Sequence, residues 1–219
     1  MGRGIRNNVI SPPPTARNRT KRSERTRAAL LRSARTVFAR TGFQDARITD
    51  IVEGAEMAHG TFYTHFDSKE DIFLAVLKEI LGGYFATVSD DGPALPPIDR
   101  IDRANRRFLE FYAANARVLA SIEPLAMVDE RFAALRRSTR LAYIDGVAAA
   151  IGRWQREGLA DQDVDAERLA AALGAMAERM AYLGCVFHDS PTDIDGMLAV
   201  SNHVWATALG LEQRTPSRV

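Results

Sequence analysis

Leu30, Leu31, Ala34, Val37 and Phe38 recur at intervals of three and four residues, and the same spacing returns in each later apolar segment. That period lines one face of an α-helix, whereas a half-buried strand needs strict alternation, which no segment offers. The chain of 219 residues therefore reads as all-α. The first helix starts near Ser23 and ends at Thr41-Gly42, where glycine suits a left-handed cap. Ile48, Ile51, Val52 and Ala55 make a second, very short helix, and residues 59–65 fit a third. Ser68 offers an N-cap, with Asp71 three residues on as an approximate capping box. A fourth helix carries Ile72, Phe73, Val76, Leu77, Ile80, Leu81 and Tyr84 on one face.

The character changes at DDGPALPP (90–97). Helical patterns then run over about 98–119, 129–157, 165–187 and 192–210, with breaks at Glu123-Pro124, Gly158 and Ser190-Pro191. Residues 1–22, with three consecutive prolines and many arginines, read as a disordered basic arm able to enter a minor groove. Residues 23–70 form a helix-turn-helix unit that hands over to the fourth helix from residue 69, and 71–219 form a second helical domain.

Charge separates the same parts. Of 29 basic and 28 acidic residues, 13 and 7 lie in residues 1–70, which leaves 16 and 21 for the rest. A basic first part suits a polyanionic partner. No apolar run approaches the roughly 18 residues of a membrane span, and the N-terminus lacks the apolar stretch of a secretory signal. A single cysteine, Cys185, builds no intrachain disulfide, so a reducing cytoplasm is expected.

The short stretch AEMAHGTFYTHF (55–66) crowds two His, two Thr, one Tyr and two Phe around a glycine. On a helix, Phe62 and Phe66 share one face and, with Met57, plug a small core. Thr64 points away from them, Gly60 and Thr61 look outward, Tyr63 and His65 flank this side, and His59 stands at the tip. Hydroxyls, amphipathic rings and a bare glycine backbone at a helix start suit phosphate and base-edge contacts in a major groove.

The run ITDIVEGAEMAHGTFYTHFDSKEDIF (48–73) closely resembles the N-terminal signature of TetR-family transcriptional regulators, roughly TxxDIAxxAGVSxGTFYxHFxSKExLF. Asp50, Ile51, Ala55, Gly60, Thr61, Phe62, Tyr63, His65, Phe66, Ser68, Lys69 and Glu70 stand where that pattern puts them. The resemblance covers about residues 24–80. It implies a helix-turn-helix of residues 47–54 and 59–65, the second being the recognition helix. It makes Arg47, Thr61, Tyr63, His65 and Lys69 DNA contacts, with Lys69 holding a phosphate. His59 and Thr64, at variable positions, are expected to add base specificity. The sequence departs from the pattern at three places. Glu56 replaces the turn glycine, which implies strain or a shifted turn, and brings a negative charge near DNA. Ala58 replaces a capping serine, and Ala46-Arg47 replaces Thr-Thr, so Asp45 becomes the expected cap of the second helix.

Other chemistries fare poorly. His59 and His65 are six apart, not the four of a helical metal pair, and no cysteine completes a set. His188, Asp189, Asp193, Asp195 and His203 read as a solvated turn. No nucleophile elbow or phosphate loop appears, so neither enzyme, metal nor cofactor is expected.

In the second domain Phe108, Phe111, Tyr112, Met127, Tyr143, Met176 and Met180 lie on apolar faces, as do Phe132, Trp154, Tyr182, Cys185 and Phe187. Singly each reads as core. The family resemblance implies a pocket among the first seven, and the scarcity of charge there suggests an apolar or aromatic effector. The last two helices, about 165–187 and 192–210, are rich in Ala and Gly, and the resemblance implies a homodimer joined through them. The expected function is a repressor that leaves a palindromic double-stranded DNA operator when effector binds. A helical small-molecule-binding or enzymatic dimer, and an activator or architectural DNA binder without effector, are the alternatives.

Overall fold

The computed structural model describes residues 16–88, 95–187 and 193–211. Among these residues there is no strand. Helix α1 (Ala16–Asp45) begins before the expected Ser23, so the last residues assigned to an unstructured arm are helical; residues 1–15 lie outside the described residues. Gly42 interrupts α1 with φ 77° and ψ 177°. This is an extended, positive-φ conformation that side-chain-bearing residues avoid, not the left-handed cap expected, and one further turn follows it to Asp45.

Helices α2 (Ile48–Gly54), α3 (His59–Phe62) and α4 (Lys69–Val88) complete the N-terminal head. Its core is aromatic and aliphatic: Leu30, Ala34 and Phe38 from α1 meet Ile51, Phe62, Ile72, Phe73, Val76 and Leu77. The expected cap of α4 is present, with the Asp71 N–H donating to Ser68 Oγ at 3.1 Å.

Helices α5 (Pro97–Leu119), α6 (Ile122–Ala126), α7 (Glu130–Arg156), α8 (Ala166–Val186) and α9 (Ile194–Ala208) follow. The break expected at Glu123-Pro124 is instead the short helix α6. Pro124 sits in its first turn, where a backbone N–H has no intrahelical acceptor to lose. Asp129, Asp165 and Asp193 cap α7, α8 and α9, each accepting a backbone N–H at 2.8–2.9 Å. The second part packs in two clusters, one around Ile101, Ile151, Trp154, Leu173 and Trp205, the other around Leu109, Tyr112, Ala181 and Leu198. The head is not sealed from it, because Val118 of α5 and Phe132 of α7 are buried in the head core. By length and composition α8 is apolar enough to cross a membrane; its Ala170, Leu173, Ala177 and Ala181 are buried within the fold.

Candidate nucleic-acid interface

The turn between α2 and α3 keeps the geometry that glycine normally supplies. Glu56 has φ 55° and is the one non-glycine residue with positive φ among the described residues. The Glu56 N–H donates to Glu53 O and the Met57 N–H to Val52 O, both at 2.9 Å. That pair of bonds is a Schellman closure, and Met57 packs on the same core as Val52. The same closure ends α7 at Gly158 (φ 70°) and α9 at Gly210 (φ 65°), where glycine occupies the left-handed position. The turn is therefore not shifted; Glu56 bears the conformation. Left-handed backbone costs a side-chain-bearing residue about 1–2 kcal/mol, and glycine loses about 0.5–1 kcal/mol more entropy on folding, so Glu56→Gly is expected to stabilise by roughly 1 kcal/mol. Ala58 caps α3 with φ −69° and ψ 146° and no side-chain bond. A serine there fits the existing backbone, so Ala58→Ser should add about 1 kcal/mol. Urea unfolding midpoints measure both, and a lower midpoint in either variant contradicts this account of the turn.

The recognition helix is shorter than the expected 59–65. After Phe62 the bonding tightens, with His65 N–H donating to Phe62 O at 2.9 Å and Thr64 N–H to Thr61 O at 3.3 Å. Phe62 and Phe66 are buried, ring centroids 5.8 Å apart, and Met57 packs beside them. Above this anchor His59, Gly60, Tyr63 and Thr64 are exposed, and Thr61 is half-buried. Tyr63, 52 % exposed, packs edge-on against His59 at 5.5 Å and Phe62 at 5.2 Å. Thr64 donates its hydroxyl to Thr61 O at 2.7 Å, which leaves lone pairs and a methyl for an incoming group. A Cβ added at Gly60 meets nothing within 4 Å, so the fold itself does not require glycine there. His65 is half-buried and lines a cleft of about 310 Å³ with Arg27 and Lys78.

Two expectations change at the edges of this surface. Arg47, exposed at the start of α2, is itself the N-cap residue, and no side chain, that of Asp45 included, caps the helix. The Lys69 side chain turns inward, not outward. Its Nζ donates to the carbonyls of Phe43, Gln44 and Ala46 at 2.8, 3.1 and 3.0 Å, and it lies 4.5 Å from the Phe43 ring centroid. All three ammonium protons thus secure the turn after Gly42.

Comparison with known proteins fits this geometry. Residues 30–76 match the family model for bacterial regulatory proteins of the tetR family, and residues 101–209 match the model for the C-terminal domain of the transcriptional regulator EthR. The chain belongs to the TetR family of transcriptional regulators. It is 25 % identical over 192 residues to the HTH-type transcriptional regulator EthR of Mycobacterium tuberculosis, covering 85 % of this chain and 88 % of that one. It is 36 % identical over 76 residues to the HTH-type transcriptional repressor KstR2 of Rhodococcus jostii, 35 % of this chain and 36 % of the relative. A putative transcriptional regulator from Saccharomonospora viridis, solved with choline, superposes with TM-score 0.73 at 20 % identity, covering 85 % of this chain and 98 % of that one. TetR-family regulators bind DNA operators and small-molecule effectors and form dimers, and the family is generally not enzymatic. This chain is a ligand-responsive, DNA-binding regulator of that kind.

The regulator's proposed effector residues divide. Phe108, Phe111, Tyr112 and Met180 belong to one cluster. Met176 packs in another, beside Trp154 and Trp205. Tyr143 presses against α8, where a Cβ at Gly174 would collide with its ring. Met127 is 83 % exposed between α6 and α7, so it lines no interior pocket. Tyr84 belongs with the first group, stacked on Phe111 at 4.4 Å and edge-on to Phe108 at 6.3 Å. A phenol at the end of the α4 apolar face was the sequence signal for it. Burial pushes its hydroxyl up to about 12, against the pull of Arg107. Burial also raises Tyr112, with Glu178 adding to the shift, and raises Tyr143, with Tyr84 adding. A neutral phenol can both donate and accept a hydrogen bond. Among the described residues, no group of three or more His, Cys, Asp or Glu is arranged to hold a metal; His188 and Asp189 lie outside them.

Proposed function

We propose that this TetR-family regulator reads a palindromic operator as a homodimer paired through α8 and α9, and that effector bound beside Tyr84, Phe108, Phe111 and Tyr112 releases it. The observation that carries the DNA assignment is the exposed layer of His59, Gly60, Tyr63 and Thr64 held on the buried Phe62 and Phe66. One short helix reads too few base pairs alone, whereas a two-fold pair reads grooves about 34–36 Å apart. Leu183, Val186 and Val200 are exposed apolar residues on α8 and α9, and Phe187, just beyond α8, is 66 % exposed. They supply the apolar area that a dimer contact buries. Effector shifts the balance between two head spacings by its differential affinity for them.

Selection from a random-site DNA library should return an inverted repeat, bound with an affinity that falls steeply with salt. Gly60→Ala is the sharper arm. Nothing in the fold lies where its Cβ would go, so the melting temperature should hold or rise while operator affinity drops. Equal operator affinity in parent and variant would remove Gly60 from the contact surface. A thermal-shift panel of apolar and aromatic compounds, with choline included because aromatic faces also attract quaternary ammonium groups, addresses the effector.

A further inference from the structure

The head and the second part meet where the first turns of α4 and α7 lie side by side. Asp71, in the first turn of α4, uses its two carboxylate oxygens in different directions. Oδ2 accepts the backbone N–H of Asp67 at 3.2 Å, and Asp67 is the residue through which the chain leaves the recognition segment. Oδ1 is ion-paired with Arg131 of α7. Arg131 is itself oriented by Asp129, the N-cap of its own helix. Its Nη2 donates to Asp129 Oδ2 at 2.7 Å, its Nε to Oδ1 at 3.1 Å, and its backbone N–H to Oδ1 at 2.9 Å. These bonds hold the Asp129 carboxyl below its usual range. The next residue, Phe132, is fully buried and lies 6.0 Å from Phe73 in the head core. An unbroken run of charge-assisted bonds thus joins the start of α7 to the end of the DNA-reading segment.

An isolated surface ion pair contributes little, because two long side chains must be ordered to make it. Here the guanidinium is already oriented by the cap of its own helix, so less freedom is lost in reaching Asp71. The recipient also needs support. Helix α3 is a single turn, too short to hold its own direction, and its exit is tied to α4 through the Asp67 amide.

We propose that Arg131 is a positioning residue for DNA reading, coupling the placement of α7 to the recognition segment through Asp71 and the Asp67 amide. The proposal rests on the assignment of residues 59–66 as the DNA-reading surface. A movement of α7 in the effector domain would pull on, or release, the Asp71 side-chain bond to the Asp67 amide. Loss of Arg131 should loosen the segment before it meets DNA, and ordering it on binding then lowers affinity.

The test uses the full chain, the DNA sequence that the parent selects from a random library, and Arg131→Gln, Asp71→Asn and the double variant. Each single variant should weaken binding roughly tenfold, and the double variant no more than the weaker single, as expected of two groups acting through one contact. Amide exchange at Asp67 should quicken in Arg131→Gln while Val76 and Leu77 keep their protection. Parent-like affinity in Arg131→Gln, or a double variant that multiplies the two losses, overturns the coupling. So does a loss of affinity accompanied by equal deprotection of Val76 and Leu77, which marks general loosening. A parent that selects no sequence overturns the DNA-reading assignment beneath the proposal, and that result is visible without any variant.

Discussion

Tyr63→Ala should cost the dimer about a hundredfold or more in operator affinity and leave the fold unchanged. A hydrogen bond to a charged group contributes about 1.5–3 kcal/mol, and a two-fold dimer loses it twice, once in each half-site. Tyr63 is half exposed, and its ring touches His59 and Phe62 only at their edges, so truncation opens no buried cavity. Tyr63→Phe separates the parts: retained affinity assigns the effect to the ring, lost affinity to the hydroxyl. Fluorescence anisotropy on the selected operator, with circular-dichroism melts as the control, measures both. An alanine variant that binds like the parent means that the reading face has been assigned to the wrong side of the segment.

Phe73→Ala should be the most damaging single change to stability. Its side chain is fully buried, with the Phe38 and Phe43 rings at 4.7 and 4.8 Å and Phe132 at 6.0 Å. Deleting a buried phenyl group costs about 3–5 kcal/mol, a large share of the roughly 5–15 kcal/mol that holds a domain folded. Because Phe132 belongs to α7, the damage should reach beyond the DNA-binding half. One cooperative urea transition at lower midpoint is expected; a separate early transition of the head, with the remainder unmoved, would show that the shared core does not couple them.

The periodicity of apolar residues was enough to locate the long helices, because each buries one continuous face. Ser68 was legible as a cap since its acceptor and donor are three residues apart. Lys69 was not, because the three carbonyls it serves lie 23–26 residues earlier and meet it only once the head has closed. The recognition helix is shorter than its side-chain spacing implies, for a local reason. The Phe62–Phe66 spacing fits a helix, yet the backbone between them tightens into turns that leave side-chain spacing nearly unchanged. Glu56 was identified as the anomaly in the turn, but its sequence could not say whether the backbone or the residue would yield; the Schellman bonds make it the residue. The effector residues were least legible. An apolar position at helical spacing gives the same signal whether it lines a cavity, fills a core or, like Met127, faces solvent at a helix junction.

The burial of Val118 and Phe132 in the head core bears on how such regulators could be recombined. A chain cut after Glu70 would keep every residue of the reading surface and lose Ile72, Phe73, Val76 and Leu77 from beneath it. A head transplanted onto another effector domain would have to bring α4 with it and find a phenylalanine waiting at the start of the recipient's α7. In this protein the unit of exchange is larger than the motif that advertises it.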